Sequence, residues 1–275
     1  MKWRLVVVAF FFVFWVISCQ PASSGQVTAL PSEAQENQSL TVFAAAALAD
    51  VFNEVQDAFE ASHPGVNVLY NFAGSQQLAQ QLALGAPADV FASGNEKQIQ
   101  EAVKASRVDP AKVQKLAGNR LIIIYPTGGQ TKIHQIQDLA KPGLKVVLAD
   151  DAAPAGQYAL EFLDKASQER ALGAGFKESV LENVVSYEEN VRAVLTKVVL
   201  GEADAGIVYP TDVGKDTRDK VGVLEIPDEL NVMVDFYIAP ISDSSVSQLS
   251  QEFITFLLSE EGQGILSRYN FLPVQ

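Results

Sequence analysis

Short apolar runs alternate along the chain with longer segments in which apolar residues recur every three or four positions. The short runs are typical of buried strands, and the longer segments are typical of amphipathic helices. In the first helical segment Leu48, Val51, Val55 and Phe59 share one face. The predicted strands are 40–43, 66–70, 89–92, 121–125, 145–149 and 206–209, and later helices are predicted at 159–171 and 191–200.

This alternation predicts the fold class. Strands separated by helices of roughly 10–15 residues indicate parallel sheets with helices on both faces, which is an α/β fold. The chain has 275 residues, 48% of them apolar, which is enough for two such units at ~100–200 residues each. A cleft between the two units is then the expected place for a ligand.

The N-terminus has the pattern of an export signal. Residues 5–17 are an unbroken apolar stretch that follows Lys2 and Arg4. This stretch falls short of the ~20 residues needed to span a bilayer, but it suits the core of a signal peptide. It ends in Val-Ile-Ser-Cys (16–19), which resembles a bacterial lipobox. We therefore expect a signal peptide at 1–18 and a lipid-modified Cys19; the alternative is a free or buried thiol.

The next segment, 19–39, is rich in Ser, Gln, Pro and Ala and lacks an apolar period. Such a composition is typical of a flexible tether. The sequence therefore predicts a folded body that begins at about Leu40 and is held at a membrane surface outside the cytoplasm by its lipid anchor.

Charge and cysteine content exclude several classes of function. The chain carries 33 acidic and 20 basic residues, a formal net charge of −13. This balance argues against a nucleic-acid partner, which requires a cationic face. With Cys19 as its single cysteine, the chain cannot form an intrachain disulfide or a cysteine-based metal cluster. We expect no cofactor and no metal cation.

Catalytic motifs are missing from the sequence. It contains none of the patterns GxSxG, GxxxxGK[ST], GxGxxG and HExxH. Its two histidines, His63 and His134, lie in polar surroundings and are expected at the surface. An enzyme would need an ionisable residue that faces the cleft, and the nearest candidates are Asp89, Asp151 and Asp212. We expect all three to be structural and the protein not to be an enzyme.

Four junctions between strands and helices consist of small, uncharged residues. They are VFAAAAL (42–48), FAGSQQL (72–78), PAGQYA (154–159) and the segment before Val191. Free N–H groups at the start of a helix, together with its dipole, favour an anion, and small residues let the anion approach the backbone. The alternative is four ordinary turns in which Ser75 serves only as an N-cap.

Taken together, these junctions resemble the periplasmic molybdate-binding proteins of ABC importers. The matching segments are VFAAAALADVF (42–52), FAGSQQLAQQL (72–82), GAPADVFAS (85–93), PAGQYA (154–159), ENVRAVL (189–195) and GIVYPTD (206–212). The resemblance implies a type II periplasmic-binding fold, in which two α/β lobes joined by two crossovers close over a tetrahedral oxyanion. Lobe I would comprise 40–120 and 237–275, and lobe II would comprise 121–236, with crossovers near 119–125 and 231–238.

The resemblance also implies the contacts to the anion. Ser75 would supply its hydroxyl and its N–H, Ala47, Ala155 and Val191 would supply N–H groups, and Tyr209 would supply its phenol O–H. Ala47 departs from the family pattern, which has Ser at this place, and one hydroxyl donor is therefore lost. The implied partners are molybdate or tungstate and the transmembrane subunits of an ABC permease, and we expect a monomer.

The start of the helix at Val191 has two interpretations. Ser186 and Glu189 have the spacing of a capping box, which would begin the helix early and use the Val191 N–H inside it. The ligand contact requires a start two or three residues later, and we favour the later start. Arg192 follows directly and is expected to point away from the ligand.

Two other classes of function stay open at this stage. The first is a binder of another anion such as sulfate, phosphate or an organic acid. Phosphate often recruits an acidic acceptor or an arginine, and a ferric site would need several tyrosines. The second is an enzyme built on the same two-lobed fold.

Overall fold

The computed structural model describes residues 38–128 and 132–274. The predicted signal peptide, Cys19 and nearly all of the predicted tether lie outside the described residues. Within them the strands are β1 (Gln38–Ala45), β2 (Val66–Ala73), β3 (Val90–Ser93), β4 (Gln114–Asn119), β5 (Ile122–Pro126), β6 (Val146–Ala149), β7 (Val184–Glu188), β8 (Ala205–Val208), β9 (Val221–Glu225) and β10 (Val234–Pro240). The helices are α1 (Ala49–Ser62), α2 (Ser75–Ala83), α3 (Glu96–Lys104), α4 (Pro154–Gln168), α5 (Phe176–Glu182), α6 (Val191–Val199), α7 (Ser247–Leu258) and α8 (Glu260–Arg268).

The strands form two five-stranded sheets, one in each lobe. The first has the order β2-β1-β3-β10-β4, and the second has the order β7-β6-β8-β5-β9. In the first sheet β1 is parallel to β2 and β3, whereas β10 is antiparallel to β3 and β4. In the second sheet β6 is parallel to β7 and β8, whereas β5 is antiparallel to β8 and β9. The predicted α/β fold with two lobes is confirmed.

Strand β1 is buried on both faces, which explains its unbroken apolar run. Val42 belongs to the core cluster that includes Phe52 and Phe59 of α1, and Phe43 belongs to the cluster that includes Leu78 of α2. Because successive side chains of a strand point to opposite faces, α1 and α2 cover opposite faces of the first sheet. Each fully buried phenylalanine contributes roughly 1.5–3 kcal/mol of transfer free energy.

Two connections link the sheets. The first is the dipeptide 120–121 between β4 and β5, and the second is the segment 226–233 between β9 and β10. Asn231 joins the two connections, since the Leu121 N–H donates to Asn231 Oδ1 and Asn231 Nδ2 donates to the Leu121 carbonyl, each at 2.9 Å. The predicted lobe boundary between 236 and 237 falls within β10, whose residues pair in the first sheet from Val234 onwards.

The prediction of purely parallel sheets is wrong, because both sheets are mixed. Sequence patterning missed β4, β7, β9 and β10. The first three lie at sheet edges, whereas β10 lies inside the first sheet, where the sequence predicted only a crossover. An edge strand is only partly covered and lacks a continuous apolar run, as QKLAGN in β4 illustrates. Among the described residues, no helix is long and apolar enough to span a membrane.

Candidate functional site

A small cavity lies between the two lobes, where four helix starts and the end of β8 meet. All five residues that the sequence singled out as ligand contacts line it. Its lining consists of Ala45, Ala46, Ala47, Ala73, Gly74, Ser75, Gly94, Ala153, Pro154, Ala155, Asn190, Val191, Tyr209 and Phe236. The four junctions of small residues therefore converge in space although they are far apart in the sequence.

Lobe I contributes two helix starts to the cavity. Ala47 lies in the 3₁₀ turn Ala46–Leu48 that leads into α1, and Ser75 is the first residue of α2. N–H groups in the first turn of a helix have no partner within the helix. Ser75 is 1% exposed, and its Oγ accepts a hydrogen bond from the Gly94 N–H at 2.9 Å. Because Oγ serves there as an acceptor, its own hydrogen remains to be donated to a ligand.

The interpretation of Ser75 as an N-cap is wrong. The N-cap of α2 is Gly74, whose N–H donates to Gln77 Oε1 at 3.0 Å. Ser75 occupies the first helical position instead, so its hydroxyl is not used to cap α2. This placement is what a ligand contact at Ser75 requires.

Lobe II contributes the starts of α4 and α6. Ala155 is the second residue of α4 and follows Pro154, which has no N–H to offer. An added Cβ at Gly156 would lie 2.0 Å from the Asp150 carbonyl oxygen, so only glycine lets α4 begin this close to the end of β6. The N–H of Ala155 is thus the first backbone donor that α4 presents at the cavity.

Helix α6 begins late, as the ligand contact at Val191 requires. Its N-cap is Asn190, whose Oδ1 accepts from the N–H groups of Arg192 at 3.0 Å and Ala193 at 3.1 Å. The Val191 N–H is not used by this cap. Ser186 lies in β7, so the capping box with Glu189 is wrong.

Tyr209 follows β8 and presents its phenol to the cavity. The residue is 2% exposed, and its hydroxyl is buried without a hydrogen-bond partner in the described structure. Its ring packs edge-on against Phe236, with ring centroids 5.9 Å apart. Burial, helped by the neighbouring Tyr158 and Asp212, raises the pKa of Tyr209 well above its ordinary value. The phenol therefore stays neutral, and its O–H can donate a hydrogen bond to a ligand.

The cavity wall itself carries no charge. None of its lining residues, all of which are described, is acidic or basic. Arg192 lies behind the wall, with Nη2 2.8 Å from Asp50 Oδ2 and Nε 3.3 Å from Asp212 Oδ1. These contacts are ion pairs without the alignment of hydrogen bonds. Arg192 points away from the cavity, as expected.

Asp212 anchors Tyr209 from behind the cavity. Its Oδ2 accepts from the Tyr209 N–H at 3.0 Å. Burial and the nearby Asp50 carboxylate raise the pKa of Asp212 to about 7, against the lowering effect of Arg192 and the Tyr209 N–H. Asp212 acts through Tyr209 and does not line the cavity.

The other carboxylates considered for catalysis also lie elsewhere. Asp89 accepts from the Thr41 N–H and from Ser244 Oγ, each at 2.7 Å, and so fixes the loop before β3. Asp151 is exposed in the turn before α4. Within the described residues, no group of three or more His, Cys, Asp or Glu side chains could hold a metal ion.

The lobes touch each other around the cavity. Gln76 Nε2 in lobe I donates to the Glu189 carbonyl in lobe II at 2.7 Å. Asn95 Nδ2 in lobe I donates to Gln157 Oε1 in lobe II at 3.1 Å. The structure is therefore a closed arrangement, in which the cavity is bounded from both sides.

Sequence reasoning assigned no role to three further contributors to the wall. Gly94 lets lobe II approach, since an added Cβ would lie 3.3 Å from Pro154 Cβ. Phe236 supports the Tyr209 ring, and Asn190 caps α6. Asn190 had a readable signal, because Asn is a preferred N-cap residue and precedes a helical pattern. Phe236 is distant in the sequence from Tyr209, and no sequence signal indicated its role.

Comparison with known proteins gives the family. The family described as "Bacterial extracellular solute-binding protein" matches residues 40–272. The chain belongs to this family. It is therefore a solute-binding protein that works outside the cytoplasm.

Individual relatives agree with this assignment. The molybdate-binding protein ModA of Mycobacterium tuberculosis is 34% identical over 93% of this chain and 92% of its own length. ModA of Escherichia coli is 32% identical over 84% of this chain and 88% of its own. A sulfate-binding protein of Synechococcus elongatus is more distant, at 24% identity over 76% of this chain and 65% of its own length. The resemblance to molybdate-binding proteins that was read from the sequence is confirmed.

Solved structures show the same fold. The periplasmic molybdate-binding protein of Azotobacter vinelandii superposes with a TM-score of 0.73 at 17% identity, covering 86% of this chain and all of that one. At this identity the likeness concerns the fold alone.

Proposed function

We propose that this protein captures molybdate, or the similar tungstate, outside the cytoplasm and delivers it to the transmembrane subunits of an ABC importer. The observation that carries the proposal is the closed, charge-free cavity in which four helix starts and the unpartnered Tyr209 hydroxyl converge. The identity of ligand is supported by relatives named molybdate-binding proteins at 32–34% identity.

Neutral donors are sufficient for a doubly negative ion. The proposed contacts are the N–H groups of Ala47, Ser75, Ala155 and Val191 and the hydroxyls of Ser75 and Tyr209. At roughly 1.5–3 kcal/mol for each hydrogen bond to a charged group, these six donors supply roughly 9–18 kcal/mol before costs. After the costs of ordering and desolvation, micromolar to nanomolar dissociation constants are expected.

The acidic composition of the chain does not oppose this binding. The donors touch the anion, whereas most of the negative charge is spread over a solvated surface. Surface charges are screened over a Debye length of ~8 Å at physiological ionic strength. The dipoles of four helix starts therefore dominate the local field.

Phosphate fits this wall poorly. At neutral pH phosphate keeps a proton that needs an acceptor, and no carboxylate side chain lines the cavity. A ferric site would need several tyrosines, whereas Tyr209 is the sole tyrosine among the lining residues. Sulfate offers the same charge and geometry as molybdate, so size must discriminate between them.

Isothermal titration calorimetry on the purified protein tests the proposal. Molybdate and tungstate should bind with a micromolar or smaller Kd, and sulfate should bind at least a hundred-fold more weakly. Phosphate should give no measurable heat. Equal affinities for sulfate and molybdate would reject a size-selective oxyanion site, and no binding of any tetrahedral oxyanion would reject the site altogether.

The proposal includes attachment to a membrane through Cys19 after removal of residues 1–18, and function as a monomer. The lipobox-like sequence Val-Ile-Ser-Cys supports the attachment. A Cys19→Ala variant should be found in the soluble fraction of the cell envelope, whereas the native protein sediments with membranes. Unchanged sedimentation of Cys19→Ala would contradict lipid attachment.

A further inference from the structure

An ion pair crosses the cleft directly behind the ligand cavity. Arg192 belongs to α6 in lobe II, and Asp50 belongs to α1 in lobe I. Their side chains are 25% and 39% exposed, and Arg192 Nη2 lies 2.8 Å from Asp50 Oδ2. The partner of Arg192 within its own lobe, Asp212, is fully buried.

The position of this pair connects two of the helix starts that form the cavity. Arg192 follows Val191, whose N–H is a proposed contact. Asp50 is the second residue of α1, which continues the 3₁₀ turn that holds Ala47. The pair therefore joins the two lobes close to a proposed N–H donor in each lobe. Each of its residues follows that donor in the sequence by one or a few positions.

The surroundings in lobe II leave room for the Asp50 carboxylate. An added Cβ at Gly214 would lie 3.0 Å from Asp50 Oδ2. A side chain at position 214 would therefore crowd the Asp50 carboxylate. In lobe II, the Asp50 carboxylate therefore contacts the Arg192 guanidinium and lies close to Gly214.

We propose that Arg192 and Asp50 are positioning residues that hold the closed lobes together and so slow the release of the bound anion. The inference rests on the proposed function. When the lobes separate, Arg192 loses Asp50 but keeps Asp212, because Asp212 lies in the same lobe. The contact between Arg192 and Asp50 is therefore specific to the closed state, whereas neither residue touches the ligand.

Whether anion binding becomes stronger or weaker when the Asp50 charge is removed distinguishes this role from a long-range electrostatic effect. Removal of a negative charge near an anion site strengthens anion binding if only the long-range field matters. Loss of a bond that exists only in the closed state weakens binding, and the effect appears in the dissociation rate. The substitution Asp50→Asn removes the charge and the ion pair together, so the two explanations predict opposite changes.

Release of radiolabelled molybdate into excess unlabelled molybdate measures the dissociation rate. Asp50→Asn should release the anion about ten-fold faster, with an association rate within two-fold of the native protein. Asp57→Asn is the matched control, because Asp57 is exposed on the same helix and its substitution changes the net charge equally. It should leave the release rate unchanged or slightly lower.

Unchanged or slower release from Asp50→Asn would overturn the inference. If Asp50→Asn does not fold, release from the native protein at 0.05 M and 1 M salt, where screening lengths are roughly 13 Å and 3 Å, decides instead. Faster release at high salt supports the ion pair, and a constant rate rejects it. If the native protein binds no molybdate, the proposed function fails first, and that result is distinguishable from either outcome.

Discussion

At the scale of single residues, Tyr209 can be tested as a binding residue. Its hydroxyl has no hydrogen-bond partner among the described residues of the protein. Tyr209→Phe should therefore leave the stability of the ligand-free protein nearly unchanged. The same change should weaken molybdate binding by roughly 10–150-fold, since a hydrogen bond to a charged group is worth ~1.5–3 kcal/mol. Thermal unfolding and calorimetry measure the two effects.

Tyr70→Phe provides the matched control for this prediction. The Tyr70 hydroxyl donates to the Phe52 carbonyl at 2.9 Å within lobe I, away from the cavity. Its removal should lower stability and leave molybdate affinity unchanged, which is the opposite pattern. A Tyr209→Phe variant that loses stability but binds normally would show that Tyr209 is merely a packing residue.

At the scale of secondary-structure elements, substitutions of Asn190 can change the charge of the cavity wall while they preserve the N-cap of α6. Asn190 lines the cavity and caps two N–H groups of α6. Asp is as good an N-cap as Asn, so Asn190→Asp should preserve stability while it places a carboxylate beside the anion. We expect molybdate affinity to fall at least ten-fold, because like charges in contact cost several kcal/mol. Asn190→Ser, a neutral cap, should bind within about ten-fold of the native protein.

Calorimetry with both variants checks this prediction. Equal affinity of the Asp and Ser variants would mean that the anion does not lie against the start of α6. The comparison tests the charge-free wall itself, because both variants keep a capping oxygen at position 190.

A second element, the 3₁₀ turn Ile136–Ala140, makes stability depend on acid pH. Asp138 Oδ2 accepts from the N–H groups of His134 and Gln135, and Lys141 lies 2.9 Å from its Oδ1. Burial tends to raise the pKa of Asp138, but Lys141 and the two N–H groups outweigh it and lower the pKa from 3.8 to about 2. The ionised Asp138 carboxylate therefore stabilises the folded state fully above pH 3.8, and this contribution is lost as the pH falls through about 2.

The substitution Asp138→Asn should lower the free energy of unfolding by roughly 1.5–3 kcal/mol at neutral pH. The difference from the native protein should shrink as the pH falls from about 4 to about 2, as measured by urea unfolding. Asp164→Asn, which removes an exposed ion pair with Lys177, should cost at most about 1 kcal/mol at any pH. A deficit for Asp138→Asn that stays constant with pH would contradict the assigned ionisation.

The sequence was informative about elements wherever burial is one-sided or complete. The faces of α1 and α6 and the central strands β1 and β6 follow from apolar spacing, because their packing demands it. The edge strands β4, β7 and β9 did not follow, since partly solvated strands tolerate mixed composition. The inner strand β10 did not follow either, because the sequence predicted a crossover at that place. The sequence also identified helix starts made of small residues, but not which helix starts meet. Convergence on one cavity depends on strand order and on contacts between distant segments, such as Tyr209 with Phe236.

At the scale of the whole molecule, closure of the lobes depends on a glycine, which has no side chain, at the edge of the cleft. An added Cβ at Gly74 would lie 2.6 Å from the end of the flexible Gln76 side chain and 2.7 Å from the Glu189 carbonyl oxygen of the other lobe. The backbone of Gly74, with φ −60° and ψ 136°, is one that alanine adopts freely. Gly74→Ala should therefore be tolerated in an open protein and obstruct the closed one, because the Gln76 side chain can move aside and lobe separation relieves the clash with Glu189.

We expect Gly74→Ala to weaken molybdate binding at least ten-fold while it changes the stability of the ligand-free protein by less than about 1 kcal/mol. Small-angle X-ray scattering should show compaction on addition of molybdate to the native protein and less compaction in the variant. Gly175→Ala is the matched control, because Gly175 is also a helix N-cap and an added Cβ would meet nothing within 4 Å. If Gly74→Ala compacts and binds like Gly175→Ala, ligand capture does not require the close approach of Gly74 to Glu189.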